Sequence, residues 1–350
     1  FLNNPTYATP TWFGGATATS SLYSVGRGGT QTTAVWLQDA WRFAPLFKLT
    51  LGARLEEWKA FDGFNLSTTT TAAGVITGTT AVSQPGLSAA RFSPKGSLSF
   101  EPGKEWQVTG SVGVANRFPT VGELYQIVTS GTNIVSPNPN LTPEEALSEE
   151  LAVERKFVDG KVRLSFFQED VHNALISQSG NIPPNTVTLF TFVTNVDRIR
   201  NRGVELAWQK DNVAIKGLEL FGNVTYVDSR ILSDPTFKSA TGTTAVGKHA
   251  PNVPDWRVTS GLTYRPDETW AYTVAARYSG RQYSTLDNTD FVHNVFQSFD
   301  RFFVVDARIQ YKATENGTVS FGIDNIGNEK YHLFHPFPQR TFIVDGKVRF

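Results

Sequence analysis

The sequence predicts an all-β fold, a transmembrane antiparallel up-and-down β-barrel, on two observations. About thirteen segments alternate apolar and polar residues with the period of two that a strand imposes. Their connections alternate too, a tight turn being followed by a long polar loop. Short turns on one rim and long loops on the other mark outer-membrane barrels. A soluble sandwich shares the alternation, with its apolar face inward, but has little reason to segregate its connections by length.

Taken along the chain, Phe47, Leu49, Leu51, Ala53 and Leu55 fall opposite Lys48, Thr50, Arg54 and Glu56. Phe92, Pro94, Gly96, Leu98 and Phe100 then alternate with Arg91, Ser93, Lys95, Ser97 and Ser99. Trp256, Val258, Ser260, Leu262 and Tyr264 alternate with Arg257, Thr259 and Thr263, and Trp270, Tyr272, Val274, Ala276 and Tyr278 with Thr273 and Arg277. Phe303, Val305, Ala307, Ile309 and Tyr311 lie opposite Asp306, Arg308 and Gln310; Phe342, Val344, Gly346, Val348 and Phe350 lie opposite Asp345, Lys347 and Arg349. Each run is long enough for the roughly 9–11 residues of a tilted spanning strand. Tight turns are expected at Ala44-Pro45, Glu101-Pro102-Gly103-Lys104, Val158-Asp159-Gly160, Arg265-Pro266-Asp267-Glu268 and Thr314-Glu315-Asn316-Gly317, with long loops over residues 61–88, 118–146, 231–252 and 285–298. The Thr/Ala/Gly-rich tracts at 67–83 and 239–247 read either as loop tips or as a paired extension of a hairpin.

Facing lipid, an Arg or Lys near the midplane would cost about 2–4 kcal/mol. The charged faces carrying Arg54, Glu56, Arg91, Lys95, Arg277, Asp306, Arg308, Asp345, Lys347 and Arg349 therefore belong in the lumen. Aromatic residues at strand ends, Trp41, Phe43, Trp58, Trp106, Trp256, Tyr264, Trp270, Tyr311 and Tyr331, suit the water–lipid boundary.

Composition narrows the function classes. Among 350 residues, 40% are hydrophobic and no stretch of eighteen apolar residues occurs, which excludes helical spans. A net charge of zero gives no reason to expect nucleic acid. Cysteine is absent, which removes disulfides and thiolate metal sites; methionine is absent even from the first position, and no signal peptide is visible. These absences, and an odd strand count, lead to the expectation that residues 1–29 are an extracellular loop remnant and residues 30–350 the C-terminal strands of a larger barrel.

Several motifs then carry a family resemblance. The run Asn116-Arg117-Phe118-Pro119-Thr120-Val121-Gly122-Glu123-Leu124-Tyr125 is followed by Asn138-Pro139-Asn140-Leu141-Thr142-Pro143-Glu144-Glu145 and the strand Leu151-Ala152-Val153-Glu154-Arg155. Asn195-Val196, Arg202-Gly203-Val204-Glu205-Leu206, the block Gly322-Ile323-Asp324-Asn325-Ile326-Gly327-Asn328-Glu329-Lys330-Tyr331 and a final Phe350 complete the order. Together they resemble the barrel domain of TonB-dependent outer-membrane receptors. The resemblance implies about thirteen of roughly 22 strands, with the N-terminal plug and the early strands absent. It further implies residence in the outer membrane of a Gram-negative bacterium and active uptake of a scarce ligand, in its usual form a ferric siderophore. The implied partners are the TonB energy-transducing complex acting through the plug, outer-membrane lipid, and the barrel assembly machinery, which would read Phe350 and Val348. A passive pore or a structural barrel anchoring surface partners is the alternative.

Ligand-contact candidates lie in loops. Arg117, Glu123 and Tyr125 top a strand where they face a vestibule or fold the loop back on the barrel. Tyr283, Phe291, His293 and Phe296 cluster in a second loop, and His332 and His335 flank Phe334 in a third. No carboxylate or third histidine lies near those two in sequence, so no metal site is expected, nor any cofactor. Enzyme motifs are missing: there is no Gly-x-Ser-x-Gly elbow, no phosphate loop, and the paired glutamates at 144/145 and 149/150 enter a strand, where neighbours point to opposite faces.

Overall fold

The computed structural model describes residues 1–7, 22–70, 76–130, 133–181, 189–235, 237 and 243–350. Its strands are β1 (Leu2–Tyr7), β2 (Leu22–Ala44), β3 (Phe47–Thr70), β4 (Ile76–Ser83), β5 (Leu87–Phe100) and β6 (Trp106–Arg117), after which a one-turn helix α1 (Val121–Tyr125) leads to β7 (Val128–Ser130) and β8 (Asn133–Val135). There follow β9 (Glu144–Phe157), β10 (Gly160–Asn181), β11 (Leu189–Lys210), β12 (Leu218–Ser233), β13 (Trp256–Tyr264), β14 (Trp270–Ser279), β15 (Phe302–Lys312) and β16 (Gly317–Asp324). A small hairpin, β17 (His332–Leu333) and β18 (His335–Pro336), precedes β19 (Thr341–Val348).

Thirteen long strands, β2, β3, β5, β6, β9 to β16 and β19, form one antiparallel meander in which each pairs with the next. Among the described residues β19 pairs only with β16. The other end strand, β2, has β1 beside it over Leu22–Gly28, while the rest of its outer edge is open. Within the stretch expected as a loop remnant, β1 and the first eight residues of β2 extend the sheet, and Gly26 and Gly28 let Tyr125 pack closely against β2. Similarly, most of residues 61–88 form a hairpin of β3 and β4 rather than an open loop. Of the second Thr/Ala/Gly tract, residues 239–242 lie outside the described residues.

The turns are built locally. The Asp267 carboxylate accepts the N–H groups of Thr269 (2.7 Å) and Trp270 (2.9 Å), a side-chain mimic of a backbone turn. Asn212 does the same for Gly217, whose φ of +83° places it in the left-handed region that glycine tolerates. Pro94 lacks the N–H a ladder needs, and the β5–β6 pairing begins only after it, at Lys95.

The apolar rows face outward and do not meet across an interior. Val274 and Ile309 are 43% and 42% exposed, and Leu51, Leu55, Phe92, Val344 and Phe342 are exposed likewise. Inward rows pair polar groups across strands: Thr263 with Thr273 and Ser99 with Thr109, both at 3.0 Å. Ion pairs lie there too, Arg277–Asp306 (2.9 Å), Arg308–Asp345 (2.6 Å), Arg54–Glu56 (2.9 Å) and Arg163–Glu150 (2.8 Å). Mixed signs in adjacent positions neutralise the lumen wall locally.

Aromatic rows border the apolar band. On the short-turn rim Trp41, Phe43, Phe47 and Phe100 form a continuous stack, and Trp270 packs on Tyr311 at 4.6 Å. On the long-loop rim Tyr226 packs on Trp256 at 4.9 Å. Two residues expected in these girdles are elsewhere. Trp58, on the inward face, is 2% exposed and stacks on Phe118. Tyr331 is buried between Phe302 and Phe337, where loss of water raises its phenol pKa.

Above the band, long loops fold onto the inward faces of the tall strands. Val171, Ile199 and Ile231 meet Ala245, Ala250 and Leu286 in one buried cluster; Trp58, Leu124, Tyr125, Leu141 and Leu175 form a second.

Candidate functional site

The first group of candidates, Arg117, Glu123 and Tyr125, sits where β6 gives way to α1. Thr120 caps the helix: its hydroxyl accepts the Glu123 N–H, and Glu123 Oε2 accepts the Thr120 N–H at 2.8 Å, a reciprocal box that closes a single turn. Arg117 donates to the other Glu123 oxygen. Tyr125 is fully buried, lodged against Gly26, Gly28 and Gly63, and burial raises its phenol pKa. Its carbonyl accepts Asn65 Nδ2 at 2.7 Å. Tyr125 presents no surface to a ligand, so this group staples the 118–143 loop to β2 and β3.

The neighbouring motif is similarly structural. Asn195 donates to the Thr142 carbonyl (3.0 Å) and the Asn173 carbonyl (2.7 Å) and accepts the Thr142 N–H (2.9 Å). Glu144 accepts the Leu175 N–H at 2.7 Å. These bonds knit the entry of β9 to β10 and β11.

The second group, in the β14–β15 connection, builds a recess of different character. The Asp290 carboxylate gathers the Ser284 N–H (2.7 Å), Ser284 hydroxyl (3.0 Å) and Thr285 hydroxyl (3.0 Å), and its carbonyl accepts from Arg281. So fixed, the Arg281 guanidinium lies over Tyr283 (4.9 Å) and Phe291 (5.7 Å), and Tyr283 stacks on His249 at 5.7 Å. Asp300, 4% exposed, accepts the Asn294 N–H (3.1 Å), the His332 N–H (2.8 Å) and the Ser298 hydroxyl (3.3 Å). Burial pushes its carboxyl pKa up, but these hydrogen bonds and the nearby His332 outweigh that and hold it below the usual value.

Around this anchor, Arg281, His293, Asn294, Asp300, Arg301, Glu329 and Lys330 line a recess of about 530 Å³. The lining sets three permanent cations, Arg281, Arg301 and Lys330, against two carboxylates, Glu329 and Asp300, the latter already occupied by the Asn294 and His332 N–H groups and the Ser298 hydroxyl. Phe291 (65% exposed), Phe296 (56%) and Phe334 (42%) stand close by in sequence and stay in contact with solvent.

Tyr283 and His293 thus come together with residues that sequence reasoning passed over: Arg281, Asp300, Arg301 and Lys330. The missing signal was chain distance, since Asp300 reaches His293 (3.6 Å) and His332 (3.4 Å) only once the two loops fold together. His335 departs from His332 and packs edge-on against Phe296 instead. Among the described residues no group of metal-ligating side chains forms.

Comparison with known proteins places these features. The family described as TonB dependent receptor-like, beta-barrel matches residues 2–326. The vitamin B12 transporter BtuB of Vibrio vulnificus is 24% identical over 70% of this chain and 39% of its own length. The probable TonB-dependent siderophore receptor PiuA of Acinetobacter baumannii is 24% identical over 86% of this chain and 37% of its own. Among solved structures, the ferric-catecholate import receptor Fiu of E. coli K12 superposes with a TM-score of 0.68 at 16% identity, over 94% of this chain and 46% of that one. The chain therefore spans about two fifths of the curated relatives it matches.

Proposed function

The chain belongs to the TonB-dependent receptor β-barrel family of the Gram-negative outer membrane, and from that premise we propose that it forms part of the barrel wall of a receptor that actively imports an anionic ligand, a ferric siderophore. The energy would come from the TonB complex acting on a plug, and barrel insertion would use the assembly machinery that reads Val348 and Phe350.

One observation carries the ligand reading: Arg281, Arg301 and Lys330 line a recess, and the exposed Phe291 ring lies against the Arg281 guanidinium. Guanidinium and ammonium donors suit oxyanion or phenolate groups, and rings suit a planar ligand face. Relatives named for vitamin B12 and for siderophores use the same fold, so the recess rather than the barrel supports the choice. Tyr283 and His293 border the cationic side, and we assign them contact roles; Arg117, Glu123 and Tyr125 hold the loop frame.

Uptake of radiolabelled iron by cells expressing the complete gene product tests this. Import of ferric siderophore should require an intact TonB complex and should fall when Arg281 and Arg301 are both changed to Gln, with surface expression unchanged. Import that persists without TonB would instead indicate a passive pore, and import of cobalamin but no siderophore would reject the ligand class.

A further inference from the structure

Not every charged residue on the strands faces the lumen. In β12 the outward row continues past Tyr226 to Asp228 and Arg230, and in β11 it continues past Val204 to Arg202, Arg200 and Arg198. Tyr226 packs on Trp256 in the upper girdle, so these residues occupy the layer just above the hydrocarbon, on the lipid side.

Two aspartates organise four arginines there. Asp170 Oδ1 accepts from Arg198 Nη2 (2.8 Å) and Arg200 Nε (3.1 Å); Asp228 accepts from Arg230 Nε (2.8 Å) and Arg202 Nη2 (3.2 Å). Each carboxylate is shared by two guanidinium groups, which leaves an excess of positive charge in each set. In addition, Arg200 and Arg230 are direct cross-strand partners, a like-charge pairing that Asp170 and Asp228, each shared with a second arginine, offset only in part. Acidic residues on the same side, Glu145 and Glu149, belong to β9, two strand spacings or roughly 10 Å from Arg202. The positive field is therefore confined to β11 and β12, directly above the apolar row of Val204, Leu206 and Tyr226.

We propose that this outward patch binds the phosphate of an outer-leaflet glycolipid, whose acyl chains lie along the apolar row below. Arginine suits the task because its planar fork meets phosphate oxygens in pairs, and the aspartates hold the forks side by side, with Arg230 also donating through Nη1 to the Gly247 carbonyl. The lipid phosphate would be a fixed component of the receptor's annulus, separate from any imported ligand.

The test uses the complete gene product in nanodiscs doped with bisphosphorylated lipid A or with its dephosphorylated form. The native protein should prefer the phosphorylated lipid by about tenfold, as expected for charge-assisted bonds. The variant Arg200→Gln/Arg202→Gln/Arg230→Gln should lose that preference, whereas Lys59→Gln, an outward charge paired with Glu57 elsewhere, should keep it. Asp170→Asn and Asp228→Asn should preserve or strengthen the preference by freeing the arginines, which a purely structural cluster would not do. Absence of preference in the native protein, retention of it in the arginine variant, or its loss in both aspartate variants would overturn the assignment. Displacement by millimolar inorganic phosphate would overturn the lipid as its source.

Discussion

Replacing Val274 by Arg probes the orientation on which the membrane reading depends. Val274 lies midway along β14, four residues from Trp270 at the lower girdle and four from Tyr278 near the upper one. At a rise of about 3.3 Å per residue and a tilt of about 40°, it sits roughly 10 Å from each boundary, near the midplane. An arginine there should cost about 2–4 kcal/mol, a factor of about thirty to several hundred in the folded population. The adjacent Thr273 faces the lumen and bonds Thr263 at 3.0 Å, so Thr273→Arg should forfeit only that contact, about 0.5–1.5 kcal/mol. Gln310→Arg is a second inward control, because its 3.5 Å contact with Ser320 is weak. Urea titration of the complete gene product folded into lipid vesicles, read by the mobility shift of the folded barrel, measures all three. Equal destabilisation at Val274 and Thr273 would refute the face assignment and, with it, the lumen placement of the ion pairs.

Thr120→Ala should remove the α1 cap at a cost of about 1 kcal/mol and speed proteolysis within the 118–143 loop without altering membrane insertion. Because hydrogen bonds hold Asp300 below its ordinary carboxyl pKa, its contribution to loop order is complete above about pH 4 and disappears as pH falls through its lower folded value. Asp300→Asn should therefore expose the 291–301 segment to protease at neutral pH and abolish its acid sensitivity, and an unchanged pH profile would contradict the anchoring role. Deleting Phe350 should slow appearance of folded protein in the outer membrane, measured by pulse-chase; native kinetics would argue against its role as an assembly signal.

Much of the fold was legible because the bilayer imposes a simple rule. Facing hydrocarbon outside and water or polar groups inside, a strand must alternate, and the runs ending in Tyr278, Tyr311 and Phe350 do so plainly. The two misplaced aromatics show where that rule stops. Trp58 and Tyr331 lie above the bilayer, where loops fold over the strands, and an aromatic ring there is equally suited to a small buried core. The Arg117–Glu123–Tyr125 group was visible as a motif but not as a staple, since only the folded loop shows Tyr125 pressed into glycines of β2 and β3.

By itself, the sequence determined the number of long strands, the faces of those strands and which rim carries the loops, since each follows from local periodicity and turn chemistry repeated along the chain. Tertiary structure alone decided which loop residues share a site. Asp300 meets His332, and Arg200 opposes Arg230, only after loops fold and strands take register, and such meetings depend on contacts between segments that no local pattern encodes.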